Sequence, residues 1–228
     1  MYKLYYLHGA CSLATQVVLH QLDQAVEIID KQQVSDFSAI NPTGMVPVLV
    51  DNGKTLVEGA AVMLYLLNKH PNAMLPVTGA ARERAIQDIM FANATMHPAY
   101  GRLFFIAQNI ADEHARQAAF EVAAQAISSL WQWVEQQLAS QDFLGGDQPS
   151  AADIMLTVYS HWGASFPVKI SLGRNGRCGS GYAQLPTCCY CRAATISCLA
   201  RLPSGYYELP PKAVFLKPLK AVSNNRLR

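Results

Sequence analysis

The stretch "NPTGMVPVLVDNGKTLVEG", residues 41–59, predicts two antiparallel strands. Its apolar runs VPVLV and TLV flank Asp51, Asn52 and Gly53, and an Asn-Gly pair between such runs is a strong signal for a tight β-hairpin. The helix-forming run AAVMLYLLNKH follows and stops at Pro71, because proline supplies no amide hydrogen. This part of the chain is therefore predicted to have the order β-β-α.

A β-α-β unit is predicted before this hairpin. The runs KLYYL (3–7) and VEIID (26–30) are short and rich in aromatic or β-branched residues, and the apolar residues between them recur at helical spacing. Cys11 lies in "HGACSLATQVVL", residues 8–19, where the first strand gives way to the helix. A thiol is therefore expected at a strand-to-helix turn.

The second half of the chain is predicted to be helical. Residues 71–79 carry two prolines and a glycine and predict a linker. Residues 80–108 form one long helical pattern, which Pro98 should kink. A helix over 112–139 is expected to bury a stripe made of Phe120, Ala123, Ile127, Leu130, Val134 and Leu138.

A third helix is predicted to start at Ser150. Its hydroxyl can cap the free amides of the first turn, and Asp153 lies three positions on, which is the spacing of a capping box. Asp153 is an acid in a mostly apolar stretch and could suggest catalysis, but this spacing assigns it to structure. The sequence shows no internal repeat.

Composition favours a globular protein, with 51% hydrophobic and 15% charged residues among 228. The longest apolar run, residues 60–67, is well short of the ~20 residues that a membrane-spanning helix needs. The N-terminus lacks the charged start and long apolar stretch of a secretory signal. We therefore expect a cytoplasmic protein without a membrane partner.

Cys11 is the first candidate for chemistry. A cysteine at a helix N-terminus lies at the positive end of the helix dipole, which favours the thiolate and predicts a nucleophile near neutral pH. A redox Cys-x-x-Cys motif would need a second thiol, but Ala14 stands there, so a stable role requires an external thiol such as a soluble tripeptide. The alternative is a small buried hydrophobe, the commonest fate of a free cysteine.

Five motifs occur together in order: GACSL, NPTGMVPVL, EGAAVMLYL, MHPAYGRLFF and SAADI. With them, residues 1 to about 165 resemble a cytosolic glutathione transferase, most like the bacterial beta class. The resemblance implies a thioredoxin-like α/β domain at 1–77, an all-α domain at 79–170, and a twofold homodimer. Residues 171–228 are atypical for this fold.

The resemblance also implies where glutathione would lie. The Val46–Pro47 bond would be cis, which exposes the Val46 backbone so that an extended tripeptide can pair with it as an added strand. Glu58 could hold the ligand's ammonium, and the free amides at Gly59 could hold a carboxylate. Lys31 would replace the basic residue that contacts glutathione in typical relatives. The structural alternatives are that Pro47 is a plain β-turn proline and that Glu58 is a solvated acid at a helix start.

At the sulfur end, the resemblance implies that Cys11 and His97 face the thiol of glutathione. A helical histidine beside a proline can also be purely structural. Two neighbours depart from the beta-class pattern, since Pro98 replaces a usual lysine and Met90 replaces a usual asparagine. Asn93 lies nearby, one helical turn away. Many relatives have serine where this chain has Gly59, so a hydroxyl contact is lost.

The implied function is conjugation of glutathione, as co-substrate, to a small electrophile held between the domains, without a metal. Cys11 would hydrogen-bond the glutathione sulfur or form a mixed disulfide with it, and the latter implies thiol-disulfide or peroxide reduction. A glutathione-dependent disulfide reductase and a non-catalytic binding protein on the same fold are the alternatives.

The tail differs in charge from the rest of the chain. Residues 1–170 carry a net charge of −6 and residues 171–228 carry +8, and five of the six cysteines lie in the tail, at 178, 188, 189, 191 and 198. We favour translation in a frame other than the ancestral one, which would explain the abrupt change. A zinc site is the weaker interpretation, because the tail cysteines lack paired C-x2-C spacing. Binding to nucleic acid or to an acidic membrane would need a basic amphipathic helix, which the tail lacks, so neither partner is expected.

Overall fold

The structure is a computed structural model that describes residues 1–172. The tail sequence also predicts a short helix near residues 190–202. This helix and the interpretations of the tail given above lie outside the described range. A four-stranded sheet comes first, built from β1 (Tyr2–Tyr6), β2 (Val26–Asp30), β3 (Val48–Asp51) and β4 (Lys54–Leu56). Helices α1 (Ser12–Gln21) and α2 (Gly59–Lys69) pack against it.

The strand order is β2-β1-β3-β4, with β1 and β2 parallel and the other pairs antiparallel. Leu4 stands in register with Ile28 on one side and Leu49 on the other. Asn52 and Gly53 have φ angles of 48° and 83°, as a two-residue hairpin turn requires. The predicted β-α-β and β-β-α units are therefore both present.

In the described residues the second half is built from helices and turns, with one isolated β-bridge between Phe143 and Gly146. Helix α3 (Gly79–Met90) continues through a π-helical segment (Phe91–Met96) into α4 (His97–Asn109). Helices α5 (Glu113–Gln137) and α6 (Ala151–Ser160) complete it. Together with the sheet half, this arrangement confirms the predicted fold class, an α/β thioredoxin-like half followed by an all-α half.

Pro98 is accommodated by the π-helical segment that immediately precedes α4. Proline has no amide hydrogen to donate to the carbonyl of Ala94, and its ring would clash with that carbonyl in a regular α-helix. Wider π turns over residues 91–96 separate these groups while the chain stays helical. The sequence predicted a disturbance at this proline but not its form.

One residue of the predicted stripe on α5 packs against the core but is less buried than expected. Leu130 is only partly buried, while its neighbour Trp131 is completely buried. A stripe of 3.6-residue period can pass through either position. Trp131 occupies the core because its indole N–H donates a hydrogen bond to the buried Tyr100 hydroxyl, 2.9 Å away.

The predicted capping box at the start of α6 is confirmed. The Ser150 side chain accepts a hydrogen bond from the Asp153 amide, and the Asp153 carboxylate accepts one from the Ser150 amide at 2.7 Å. The same carboxylate also accepts from the Leu144 amide at 3.0 Å. Asp153 therefore organises the loop before α6 as well as the helix itself.

Candidate active site

A cavity of about 220 Å³ lies between the sheet half and the helical half. Five segments line it: the start of α1, the loop before β3, the start of α2, the helix around Asn93 and His97, and α6. The lining residues are Cys11, Ala14, Asn41, Met45, Val46, Pro47, Glu58, Gly59, Asn93, His97, Pro98, Met155 and Tyr159. Both halves of the fold therefore contribute to one site.

The cavity brings together six of the seven site residues that the sequence suggested. They are Cys11, Val46, Pro47, Glu58, Gly59 and His97. Lys31 lies outside this lining. Its ammonium donates a hydrogen bond to the Gly44 carbonyl at 2.9 Å and stands 5.7 Å from the centre of the Phe37 ring. In this structure Lys31 supports the loop before β3.

Cys11 stands at the predicted turn, directly before α1, but its acidity differs from the prediction. Burial raises the pKa of the thiol from its ordinary 9.0 to about 11, although the amides of Cys11 and Ser12 oppose this and the charge of Glu58 adds to it. At pH 7 such a thiol is almost entirely protonated. The loss of solvent therefore outweighs the helix start, and this geometry favours a protonated thiol over the nucleophile expected near neutral pH.

The Cys11 thiol instead acts as a hydrogen-bond donor. Its Sγ donates to the carbonyl oxygen of Val46 at 3.3 Å. The bond between Val46 and Pro47 is cis, as expected, and both residues are buried beside the cavity. The sulfur and the cis-proline edge are therefore in direct contact.

Glu58 occupies the N-cap of α2 with a φ angle of 69°. This left-handed conformation is uncommon for a residue other than glycine, and such residues concentrate at functional sites. The side chain makes no capping bond to α2 and is exposed where it borders the cavity. Beside it, Gly59 opens the helix, whose first amides have no partner within the helix. An acidic group and free donors thus stand side by side.

His97 lies at the opposite wall of the cavity. Its ring packs edge-on against Tyr159 and Trp162, with ring centres 5.3 and 5.2 Å away. Burial lowers the pKa of the imidazole below its ordinary value of 6.5. His97 is therefore neutral at neutral pH and carries one N–H donor.

Trp162 links this wall to the turn that carries Cys11. Its indole N–H donates a hydrogen bond to the carbonyl of Gly9 at 2.8 Å. Gly9 has a positive φ of 72° and lies two residues before Cys11. The helical half therefore holds the strand-to-helix turn in place.

Sequence reasoning missed Tyr159 and Met155 and did not place Asn93 in the site. Tyr159 is buried, and burial, followed by the charge of Cys11, raises the pKa of its hydroxyl. A tyrosine within the apolar run of α6 was the available signal for it. Asn93 stands four residues before His97, which puts both on one helical face.

Residues 1–172 contain neither a cluster of metal-ligating side chains nor a membrane-spanning helix. No group of three or more histidine, cysteine, aspartate or glutamate side chains is placed to hold a metal ion in this part of the chain. No helix among these residues is long and apolar enough to cross a membrane.

Comparison with known proteins agrees with this geometry. Residues 14–74 match the family profile described as "Glutathione S-transferase, N-terminal domain". Residues 113–162 match that described as "Glutathione S-transferase, C-terminal domain". The first match runs from within α1 to just beyond α2, and the second spans α5 and α6.

Individual relatives give the same result. Glutathione S-transferase GST-4.5 of Xanthomonas campestris pv. campestris is 32% identical over 175 residues, which cover 74% of this chain and 86% of that protein. A sphingomonad glutathione S-transferase solved in complex with glutathione is 28% identical with a TM-score of 0.70, covering 87% of this chain and 97% of that one. The bacterial beta-class glutathione S-transferase of Sphingomonas chungbukensis is 26% identical with a TM-score of 0.68, covering 86% and 98%. Fold, paired domain matches and sequence identity agree, and the chain belongs to the glutathione S-transferase family.

Proposed function

We propose that this transferase conjugates glutathione to small electrophiles in the cavity between its halves, with the glutathione sulfur beside Cys11 and His97. The observation that carries the proposal is one cavity lined by Cys11, the cis Val46–Pro47 edge and the start of α2. In this proposal, residues 1–77 bind glutathione, and residues 79–170 close the site over the electrophile.

The tripeptide would lie extended along the loop before β3. Its backbone would pair with that of Val46, as in the addition of a strand to a sheet edge. Its γ-glutamyl end would reach α2, where the free amides attract a carboxylate and Glu58 attracts an ammonium. The similarity to a transferase solved with glutathione supports this placement.

Cys11 and His97 would act on the sulfur as hydrogen-bond donors. A thiol with a pKa of about 11 stays protonated at neutral pH and can donate to a glutathione thiolate. The neutral imidazole of His97 offers a second N–H. Donors aimed at a developing or resident negative charge stabilise it strongly in a site that excludes water. Glutathione, and not Cys11, would then be the nucleophile that attacks the electrophile.

A disulfide reductase is the second candidate, because the Cys11 sulfur lies at the cavity. In that reaction the Cys11 thiolate attacks the glutathione sulfur of a mixed disulfide between glutathione and a small thiol, becomes joined to glutathione through a new disulfide and releases the small thiol as its thiolate. A glutathione thiolate then attacks the Cys11–glutathione disulfide, which frees Cys11 and forms oxidised glutathione, so the small thiol is reduced and glutathione is the reductant. The raised pKa of Cys11 favours conjugation over this route.

The Cys11→Ala variant separates the two reactions. We expect kcat/KM for conjugation of glutathione to chlorodinitrobenzene to fall by about tenfold, the effect of one hydrogen bond to charge. Cys11→Ser keeps a donor and should fall less. If Cys11→Ala instead abolishes both conjugation and exchange with a small disulfide, Cys11 is the nucleophile and the proposal is wrong.

Three expectations stay predictions. They are the twofold homodimer, a cytoplasmic location and a ligand contact from Lys31. Sedimentation at micromolar concentration tests the first. Substitution of Lys31 by alanine, with glutathione affinity as the readout, tests the third.

A further inference from the structure

Asn93 lies directly over the first residue of α2. A Cβ atom added to Gly59 would stand 3.4 Å from Oδ1 of Asn93 and 3.8 Å from Cδ of Pro47. All three residues line the cavity together with Glu58. The Asn93 amide therefore lies within contact distance of the start of α2.

The π-helical segment decides which residue accompanies His97 at the cavity. In a straight α-helix, seven residues make about two full turns, so Met90 would share a face with His97. Residues 91–96 are π-helical, and the extra residue in a π turn rotates everything before it away from that face. Met90 is 37% exposed and lies outside the cavity lining, whereas Asn93 is part of it.

The surroundings of Asn93 fit the α-amino acid end of a ligand. The first amides of α2 offer donors and positive potential for a carboxylate. The Glu58 carboxylate, exposed at the N-cap, offers a partner for an ammonium. Within residues 1–172 no hydrogen bond engages the Asn93 side chain, so its two N–H donors are available.

We propose that Asn93 determines specificity for the γ-glutamyl end of glutathione, by donating a side-chain hydrogen bond to its α-carboxylate at the start of α2. This inference rests on the proposed function. A carboxylate at the α2 amides lies beside Gly59, and Asn93 stands above that residue. A half-turn of the terminal amide exchanges its oxygen and nitrogen, so the donor can face the ligand.

The test is calorimetric titration of the full chain with two peptides. One is glutathione, and the other is 4-aminobutyryl-cysteinyl-glycine, which lacks only the γ-glutamyl α-carboxylate. Wild type should bind glutathione more tightly than the analogue. Asn93→Ala should weaken glutathione binding by about tenfold and change analogue binding by less than about twofold, because the lost bond goes to the missing carboxylate.

Two further variants sharpen the result. Asn93→Asp places a negative charge against the carboxylate and should weaken glutathione binding more than Asn93→Ala does. Met90→Ala, on the same helix but turned away, is the matched control and should leave both affinities unchanged. If Asn93→Ala weakens both peptides equally, or Asn93→Asp binds glutathione more tightly, the inference is overturned. If wild type binds neither peptide, the proposed function itself fails.

Discussion

The thiol of Cys11 donates a hydrogen bond to the carbonyl oxygen of Val46, 3.3 Å away. This contact joins the strand-to-helix turn to the cis-proline edge, the two features on which glutathione binding is proposed to depend. Together with the raised pKa of the thiol, this contact makes Cys11 a protonated donor.

Alkylation of Cys11 should be slow at neutral pH. Because burial raises the pKa of the thiol to about 11, the rate of reaction with iodoacetamide should keep rising through pH 9. Peptide mass mapping separates residue 11 from the five cysteines of the tail. A rate at residue 11 that levels off near pH 7 would contradict the raised pKa.

Trp162→Phe should destabilise the fold and loosen the turn before Cys11. The substitution keeps an aromatic ring but removes the donor to the Gly9 carbonyl, at a cost of about 1 kcal/mol in the free energy of unfolding. Urea denaturation measures this loss. Trp133→Phe, whose ring packs against Phe91 in the helical half, is the control for a ring change without that bond. Equal losses of unfolding free energy in both variants would contradict a stabilising role for the hydrogen bond from Trp162 to Gly9.

Ser150 and Asp153 should affect stability and not chemistry. Ser150→Ala removes a helix cap and should cost about 1 kcal/mol. Asp153→Ala leaves the amides of Leu144 and Ser150 without their acceptor and should cost about 3 kcal/mol. Thermal melts measure the loss. A stable Asp153→Ala protein with greatly reduced kcat would instead assign Asp153 to catalysis.

Stability should fall as the pH drops below 6.5. Burial lowers the pKa of His97 and His161 from that ordinary value, so the unfolded chain binds protons that the folded chain does not. The contribution of these two histidines to the free energy of unfolding is then fully present above pH 6.5 and is lost as the pH falls from 6.5 through the lowered pKa values. Urea midpoints from pH 7.5 to 5.5 measure it. The His97→Gln/His161→Gln variant should show a flatter profile, and an unchanged slope would contradict the assignment.

Local patterns in the sequence were sufficient to predict most of the fold. The short apolar and β-branched strand runs, the Asn52-Gly53 turn and the Ser150–Asp153 spacing each depend on residues close in sequence, and each appears where it was expected. The choice between Leu130 and Trp131 was different. It depends on a hydrogen bond from Trp131 to Tyr100, 31 residues away, which a local pattern does not contain.

The candidate site shows the same limit. The sequence located Cys11 at a helix start and predicted an acidic thiol, but burial in the folded protein raises the pKa of that thiol, and a local pattern does not contain this burial. Asn93, and not Met90, lines the cavity because residues 91–96 are π-helical. A prediction from α-helical periodicity assumes a helix without π turns and therefore selects the wrong face. Pro98 was the only local sign of that change.

The most direct test of the account is a crystal structure of the full chain with glutathione. We predict that the glutathione sulfur lies within hydrogen-bonding distance of the Cys11 Sγ without a covalent bond, and that the γ-glutamyl end lies at Glu58 and Gly59. Glutathione bound elsewhere on the molecule, or joined to Cys11 by a disulfide under reducing conditions, would contradict it.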